Sequence, residues 1–389
     1  MKCLVTGACR NFSAAASRCA HMMARGLAAN KCIVDVVIGG LGDYYGKDHE
    51  GCTDYNFTCL AKSDGKPGSV LKHFRMMYNG IIENRWDLIV FYSVGVQFVP
   101  LVTLARRHGI KIVYVQGDHY VTLPGMSIKD RFKLSIINWI DRYLSTHADL
   151  NALAGTSVLA EYFLEQAPKT PIYVSYPPID IDLFSLGDGD CFRKRYSLGN
   201  KLIIGYCGGV GSLEGVEVLI RAMRLVANIV PEAHLVIAGR LGDYDHALSQ
   251  QIDYPKLVAE LDITDRVTFT GFIDQTEVRG LLSASTLLTM PKLEHRRNAV
   301  AAPIKLSEYF ASGTPVIATT VGDIGTRFHN GSELLFCIPG DSKDLSEKIV
   351  YLLNHPDVAQ QIASNGQVYA RKNFDYRTWG VDILNLLQK

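Results

Sequence analysis

The 389-residue sequence predicts an α/β protein of two domains, each built around a doubly wound parallel sheet. Short continuous apolar runs, such as DLIVFY and LIIGYC, alternate with helical patterns along most of the chain. Glycines follow several of these runs, as they do in the turns of parallel α/β units. The length suits two domains of roughly 190 residues each, and strands without polar alternation are typical of sheets covered by helices on both faces.

The first domain is predicted over residues 1–185. Its strands are expected at 2–6, 32–38, 87–92, 110–115, 150–154 and 172–175, and its helices at 14–29, 70–84, 99–108, 128–144 and 157–166. A domain linker is indicated by Tyr176-Pro177-Pro178 and the polar, glycine-containing residues up to Gly189. Asp180 and Asp182 within it have the spacing of a metal-binding DxD pair, but a structural role is favoured.

The second domain is predicted over residues 186–375, and a terminal helix over 376–389. Strands are expected at 202–207, 234–238, 267–270, 287–290, 316–319 and 333–338, and helices at 214–229, 277–284, 344–354 and 356–373.

Charge and hydropathy restrict the partners of the chain. Lysine and arginine total 40 and aspartate and glutamate 39, so the net charge of +1 gives no general attraction to nucleic acid or to acidic membranes. No apolar run reaches the roughly 18 residues of a membrane span. The sequence begins MKCLVTGAC, which enters a strand without the long apolar region of a signal peptide. A cytoplasmic location is therefore expected.

The predicted helix 128–144 is amphipathic. Phe132, Ile136, Trp139 and Tyr143 recur at three- and four-residue spacing, and basic residues flank them at 129, 131, 133 and 142. Packing of this stripe on the core is the favoured interpretation. The alternative is a weak, peripheral contact with a membrane surface.

The stretch PIKLSEYFASGTPVIAT, residues 303–319, predicts a helix, a tight turn and a buried strand. Leu306, Tyr309 and Phe310 are spaced to face the core, and Gly313 is expected to end the helix in a left-handed conformation. Glu308 falls between these apolar positions. It is either a surface residue of a capped helix or a functional carboxylate.

A glycine loop at residues 208–215 follows one predicted strand and opens a helix. Gly208, Gly209 and Gly211 would present backbone N–H groups and the positive end of a helix dipole to a phosphate. The spacing also resembles a relaxed dinucleotide fingerprint, and Arg240 after the next strand could hold a nicotinamide-nucleotide phosphate. An NADP-binding oxidoreductase is therefore a competing hypothesis.

From Leu202 onward the sequence resembles the GT-B glycosyltransferases, specifically glycosyltransferase family 4. The resemblance rests on YCGGVGSLEGVEVLIRAM, RVTFTGFI, PIKLSEYFASGTPVIATTVGDI and NGSELLFCIPGD, with weaker support from WDLIVFY and SYPPIDIDLF in the first half. It implies two facing Rossmann-like domains with a cleft between them and a terminal helix that returns to the first domain.

The resemblance also implies an activity. A hexose-type sugar would move, with retention of configuration, from a UDP- or GDP-sugar to a glycan or lipid-linked acceptor. The nucleotide-sugar would be a substrate, with neither a cofactor nor a metal ion required. A non-catalytic nucleotide- or glycan-binding member of the same fold is the alternative.

The family's donor-site residues are carried over position by position. Glu308 matches the second glutamate of the EX7E motif, which holds the ribose hydroxyls. The first position is Val300, which departs from the pattern. In the family, one loop brings its backbone amides close to the sugar and phosphate, and this loop matches Ala301, Ala302, Pro303 and Ile304. The segment that packs on the base matches Phe272 and Ile273.

The glycine loop departs from the family as well, since Gly209 and Glu214 stand where the family has arginine and lysine. A glutamate there is expected to repel a diphosphate. Compensating cations would come from Lys292, Arg296, Arg297 or Lys305, and Lys305 is included among the catalytic candidates.

In the first domain, Gly7 ends the first strand at the position of the family's first glycine-rich loop, and Arg10 follows it. Asp118 and His119 follow the strand IKIVYVQ, where related enzymes place a histidine near the transferred sugar. Either side chain could bind sugar hydroxyls or accept a proton. The register leaves Gln116 as a further candidate.

Overall fold

The computed structural model describes residues 1–7, 14–39, 56–60, 67–92, 94–117, 126–241 and 252–388. The chain forms two compact units. The first comprises Met1–Ile179, Val300–Ala302 and Asn373–Lys389, and the second comprises Asp180–Ala299 and Pro303–Lys372.

The first unit is a seven-stranded parallel sheet with helices. The strands are β1 (Lys2–Gly7), β2 (Ile33–Gly39), β3 (Asn56–Leu60), β4 (Leu88–Tyr92), β5 (Lys111–Gln116), β6 (Leu150–Ala154) and β7 (Ile172–Ser175). The helices are α1 (Ala14–Ala29), α2 (Pro67–Ile82), α3 (Phe98–Arg107), α4 (Ile128–His147) and α5 (Ser157–Gln166). Because the strand order is β3-β2-β1-β4-β5-β6-β7, the direction of winding reverses between β1 and β4. The central strands are buried along their lengths, as their unbroken apolar sequences require.

The second unit is a six-stranded parallel sheet with helices. The strands are β8 (Leu202–Cys207), β9 (Ala233–Ala238), β10 (Val267–Gly271), β11 (Leu287–Met290), β12 (Val316–Thr319) and β13 (Leu335–Cys337). The helices are α6 (Ile181–Phe184), α7 (Gly189–Arg195), α8 (Val216–Ala227), α9 (Tyr254–Glu260), α10 (Gln275–Ala284), α11 (Arg296–Val300), α12 (Ile304–Ser312), α13 (Ile324–Arg327), α14 (Ser342–Asn354) and α15 (Pro356–Asn373). Single 3-10 turns lie at Ser212–Glu214 and Thr264–Arg266.

The order of the second sheet, β10-β9-β8-β11-β12-β13, has its own reversal between β8 and β11. In open parallel sheets, ligands bind at such a switch point, outside the carboxyl ends of the strands. The segments that follow β8 and β11 are the glycine loop and residues 291–295. The predicted α/β class and doubly wound sheets are thus confirmed.

The last helix, α16 (Tyr376–Leu386), packs against α1 in the first unit. Gly26 and Gly380 make this close approach feasible. A Cβ on Gly26 would overlap the Tyr376 carbonyl oxygen, and one on Gly380 would overlap the Gly26 carbonyl oxygen.

Helix α4 differs from the favoured sequence interpretation. Phe132, Ile136 and Trp139 are exposed, while Leu134, Ile140 and Leu144 face the core. Packing of the predicted stripe on the core is therefore wrong for these three residues. The periodicity identified an apolar face, but this helix has apolar residues on two faces, and the described residues cover only one of them.

Asp180 and Asp182 have structural partners. The Asp180 carboxylate accepts a hydrogen bond from the Leu183 N–H and caps α6. Asp182 Oδ1 accepts a hydrogen bond from Arg371 at 3.0 Å. Both carboxylates thus have the structural partners that the favoured interpretation expects.

Candidate nucleotide-phosphate site

The glycine loop begins where β8 ends, at the switch point of the second sheet. Gly208 has φ +150° and Gly215 has φ +73°, both conformations that L side chains rarely adopt. The Gly208 N–H donates to the Ala238 carbonyl at 2.9 Å, which fixes the loop to the end of β9. A Cβ on Gly215 would overlap the Pro291 carbonyl oxygen, so glycine is required where the loop passes the end of β11. At Gly209, by contrast, a Cβ would meet no described atom within 4 Å.

A cluster of two lysines and one glutamate lies against this loop. Lys305 Nζ is 2.6 Å from Glu214 Oε2, and Lys292 Nζ is 3.0 Å from Glu214 Oε1. Lys305 also donates to the Tyr206 hydroxyl at 3.1 Å, and that hydroxyl donates to the Gly209 carbonyl at 2.5 Å. Lys292 donates to Asn298 Oδ1 at 3.1 Å. The cluster thus ties the ends of β8 and β11 and the first turn of α12 together.

The position of Lys305 is the most informative feature of the cluster. A Cβ added to Gly208 would lie 2.7 Å from Lys305 Nζ, so the ammonium group lies beside the loop and fills the space that a side chain would need. Its side chain is 11% exposed. A partly exposed cation beside a glycine loop and a helix N-terminus is an arrangement that suits a phosphate group.

Burial and the mutual contacts set the charges of the cluster. Burial alone would raise the pKa of Glu214, but Lys305 and Lys292 outweigh it and lower that pKa from 4.5 to about 2. Burial acts to lower the pKa of Lys305, yet Glu214 and the neighbouring groups raise it overall. At Lys292 burial prevails over the attraction of Glu214 and lowers the pKa. With all three groups ionised, the cluster carries one net positive charge.

In this arrangement Glu214 no longer presents the unpaired negative charge that was expected to repel a diphosphate. The carboxylate is neutralised by two lysines and holds both near the loop. Of the four predicted cations, Lys292 and Lys305 belong to the cluster, whereas Arg296 and Arg297 are exposed on α11. The sequence alone did not show the pairing, because Glu214 is 91 residues from Lys305 along the chain.

Helix α12 places Lys305, Glu308 and Tyr309 at i, i+3 and i+4, on one side of the helix. The Cys207 N–H donates to the Tyr309 hydroxyl at 2.8 Å, and that hydroxyl donates to the Cys207 carbonyl at 3.1 Å, so this side meets the end of β8. Glu308 is 5% exposed, which makes the interpretation as a surface residue wrong. The predicted burial of Leu306, Tyr309 and Phe310 and the left-handed Gly313 are confirmed.

Phe272 follows β10 and is 54% exposed, whereas Ile273 is buried. The Arg240 guanidinium, after β9, lies 5.3 Å from the centre of the Phe272 ring. The two loops are joined by a hydrogen bond of 2.9 Å from the Gly239 N–H to the Gly271 carbonyl. An exposed aromatic ring with an arginine above it can stack on a planar base. The sequence alone indicates a different role for Arg240, the binding of a nicotinamide-nucleotide phosphate.

Residues 300–302 belong to the first unit. Val300 is buried in that unit's core, and its carbonyl accepts from the Thr156 N–H and hydroxyl, both at 3.2 Å. Ala301 pairs with Gly155 in an isolated antiparallel bridge. Ala302 is buried, Pro303 precedes α12 as its N-cap, and Ile304 is the first residue of that helix. The position of the first EX7E acid is thus occupied by a core side chain.

Two of the first-unit candidates, Gly7 and Gln116, lie at the carboxyl ends of strands in the first sheet. Gly7 ends β1. Arg10, Asp118 and His119 lie outside the described residues. Gln116 ends β5, and its Nε2 donates to Asp141 Oδ1 at 3.2 Å, while the Tyr114 hydroxyl donates to the same oxygen at 2.5 Å. Burial raises the pKa of Asp141 to about 6, although both hydrogen bonds act to lower it.

Comparison with solved structures identifies the fold. HepE of Anabaena in complex with UDP matches with a TM-score of 0.71 and 19% identity, over 100% of both chains. Sucrose-phosphate synthase of Thermosynechococcus elongatus matches with a TM-score of 0.73 and 16% identity, over 100% of this chain and 98% of that chain. The fold is that of the GT-B glycosyltransferases.

Sequence comparison defines the domain more closely. Residues 201–355 match the family model described as "Glycosyl transferases group 1". D-inositol 3-phosphate glycosyltransferase of Mycolicibacterium smegmatis is 28% identical over 202 residues, which are 52% of this chain and 44% of the relative. Alpha-D-kanosaminyltransferase of Streptomyces kanamyceticus is 24% identical over 280 residues, 70% of this chain and 69% of the relative. The chain thus spans less than half of the mycobacterial relative's length. Residues 201–355 are thus similar to a glycosyl transferase group 1 domain, within a chain that has the GT-B fold.

Proposed function

We propose that the protein is a retaining glycosyltransferase of family 4 that transfers a hexose-type sugar from a UDP- or GDP-sugar to a saccharide or lipid-linked acceptor. One observation carries the proposal. The Lys305 ammonium group lies beside Gly208, within 2.7 Å of where its Cβ would be, at the switch point of the second sheet and next to the loop that opens α8. This is the place where a diphosphate needs a cation and free N–H groups.

The donor would be bound mainly by the second unit. Lys305 and the amides of Gly209 and Gly211 would hold the diphosphate. The Gly208 N–H, also expected to do so, donates to the Ala238 carbonyl instead. Lys292 adds positive potential through Glu214. Glu308, four residues before the end of α12, accepts hydrogen bonds from the ribose hydroxyls, a task that suits a carboxylate. Phe272 and Arg240 pack on the base, and the Ile273 backbone pairs with it.

The reaction would break the bond between the anomeric carbon and the diphosphate oxygen. The acceptor hydroxyl oxygen then bonds to the same face of that carbon, and its proton passes to the departing phosphate oxygen. Negative charge grows on the diphosphate during this step, and Lys305 stabilises it there. A protein nucleophile is not part of this mechanism, and neither is a metal ion.

The remaining site residues are assigned on sequence grounds. Asp118 and His119 would bind hydroxyls of the transferred sugar, and Gly7 would let the first unit's backbone approach it. The amides of Ala301, Ala302, Pro303 and Ile304 would approach sugar and phosphate, and Arg297 would add a cation at the rim. Location in the cytoplasm, where nucleotide-sugars are made, accords with these roles.

A non-catalytic nucleotide-binding protein is the second candidate, and Val300 favours it. An apolar side chain buried in a core cannot bind the sugar as the first EX7E acid would. Such a protein would still bind the nucleotide but would not transfer the sugar.

The test uses a panel of UDP- and GDP-sugars, in chelator-treated buffer, with release of the nucleoside diphosphate as the readout. Slow hydrolysis of one sugar, abolished in Lys305→Met, is expected, and transfer to an acceptor with retained configuration would complete the assignment. Binding of a nucleotide-sugar without hydrolysis or transfer to any acceptor supports the second candidate. Binding of NADPH in preference to every nucleotide-sugar would overturn both.

A further inference from the structure

Helix α4 carries an apolar surface that no described part of the chain covers. It packs against α3, α5 and β5 through a face that includes Leu134, Ile140 and Leu144. On the opposite side Ile128 is 88%, Phe132 68%, Ile136 44% and Trp139 58% exposed. We call these four residues the α4 stripe.

The stripe is continuous along the helix. Its members are separated by four, four and three residues, which places them on one line at 3.6 residues per turn. They span about 17 Å at 1.5 Å per residue. The stripe ends at Trp139. The next residue in the pattern, Tyr143, packs within the protein: its hydroxyl is 2.5 Å from Thr103 Oγ1 and its ring stacks on His147 at 4.1 Å.

Basic residues border the stripe on both sides. At about 100° per residue, Arg131 and Arg142 lie along one edge, and Lys129 and Lys133 lie along the other. All four are exposed. The helix has two acidic residues, but Asp130 interacts with the N-cap Ser127 and Asp141 is buried in the core. The outward face is therefore strongly positive, although the whole chain has a net charge of only +1.

We propose that the α4 stripe lies on the surface of a membrane rich in anionic lipids, with Phe132 and Trp139 inserted at the level of the headgroups. Apolar residues between two basic borders complement both the acyl region and the phosphates of such a surface. Tryptophan is favoured at this depth because its ring is apolar and its N–H is polar. A second copy of this chain is a poorer occupant, because a two-fold contact would bring like-charged borders together.

The contact would be peripheral. In the described part of the chain, no helix is both long and apolar enough to cross a membrane. A single short stripe supports reversible attachment that weakens as salt screens the basic residues. The inference does not depend on the donor site, although it would bring the first unit close to a lipid-linked acceptor.

The test measures vesicle binding by the full chain. The protein contains three tryptophans, and Trp86 and Trp379 are each 3% exposed, so Trp139 reports on the stripe. Vesicles with about one third anionic lipid should shift its emission to the blue, and brominated acyl chains should quench it, whereas purely zwitterionic vesicles should do neither.

Substitutions identify the surface that binds. Phe132→Ser should weaken vesicle binding by about tenfold or more, as expected from losing one inserted aromatic side chain. Arg131→Gln with Arg142→Gln should also weaken it by about tenfold and reduce its salt dependence. Val368→Ser is the matched control, since Val368 on α15 is exposed by the same 68% as Phe132.

Equal binding by Phe132→Ser and Val368→Ser would overturn the proposal, as would an absence of Trp139 quenching. If the unsubstituted chain bound no vesicles but self-associated, and Phe132→Ser abolished that association, the stripe would be a contact with a second copy of the chain instead. Nucleoside diphosphate binding should be the same in all these variants. Its loss would reveal a folding defect, and Ile136→Ser would then replace Phe132→Ser.

Discussion

Replacing Glu214 by glutamine tests the electrostatics of the candidate site. The side chain keeps its shape but loses the charge that holds Lys292 and Lys305. The fall of the Glu214 pKa from 4.5 to about 2 corresponds to about 3 kcal/mol. Because the pKa is lowered on folding, this stabilisation is complete above pH 4.5 and is lost as the pH falls toward 2.

We therefore expect Glu214→Gln to lower the free energy of unfolding by about 3 kcal/mol at neutral pH, which agrees with the cost of breaking a buried ion pair. The second unit should melt roughly 6–12 °C earlier in a calorimetric scan. Glu217→Gln is the matched control, because Glu217 makes an exposed pair with Arg221 at 2.9 Å and should change stability by less than about 0.5 kcal/mol.

The same variant reports on the ligand. If a diphosphate binds beside Lys305, its negative charge replaces part of what Glu214 supplied. UDP or GDP should therefore raise the melting temperature of Glu214→Gln more than that of the unsubstituted protein. Equal melting temperatures for Glu214→Gln and Glu217→Gln would refute the proposed charge balance. An equal increase with nucleotide in every variant would refute the placement of the diphosphate.

Three further outcomes are expected. Glu308→Ala should weaken nucleoside diphosphate binding several-fold to about a hundredfold in calorimetric titrations, through loss of charge-assisted hydrogen bonds, and unchanged affinity would contradict its role at the ribose. Gly208→Ala should lower the free energy of unfolding by about 1–3 kcal/mol and weaken nucleoside diphosphate binding, because the new Cβ would clash with the Lys305 ammonium group and alanine disfavours φ +150°. Gly209→Ala should be nearly neutral in the same assays, since a Cβ there would meet no described atom within 4 Å. The raised pKa of Asp141 stabilises the folded state below pH 3.8, and this contribution disappears as the pH rises through 6. Asp141→Asn should therefore lose less stability than the unsubstituted protein between about pH 4 and pH 6. Identical pH profiles of the free energy of urea unfolding would disprove this.

Local patterns predicted much of the fold. Continuous apolar runs identified the central strands, and helical spacing placed Leu306, Tyr309 and Phe310 in the core. Gly313 was identified as the helix end because a left-handed residue there favours glycine. These features depend on neighbouring residues, so a single sequence is enough to predict them.

Long-range contacts were not predictable in the same way. Glu214 looked repulsive because its partners Lys292 and Lys305 are 78 and 91 residues away along the chain. Periodicity showed that Phe132 and Trp139 share a face of α4 but not that both side chains are exposed. Val300 was identified as a departure from the family pattern, yet only the three-dimensional structure shows that it serves the core of the first unit.

Calorimetric titration of UDP and GDP into the unsubstituted protein and Lys305→Met tests the central claim most directly. Saturable binding of at least one nucleotide is predicted, weakened about tenfold or more by Lys305→Met, since a charge-assisted contact contributes about 1.5–3 kcal/mol. Binding of neither nucleotide to the folded protein would contradict the claim. Equal affinity of both proteins would contradict the assignment of Lys305 to the diphosphate.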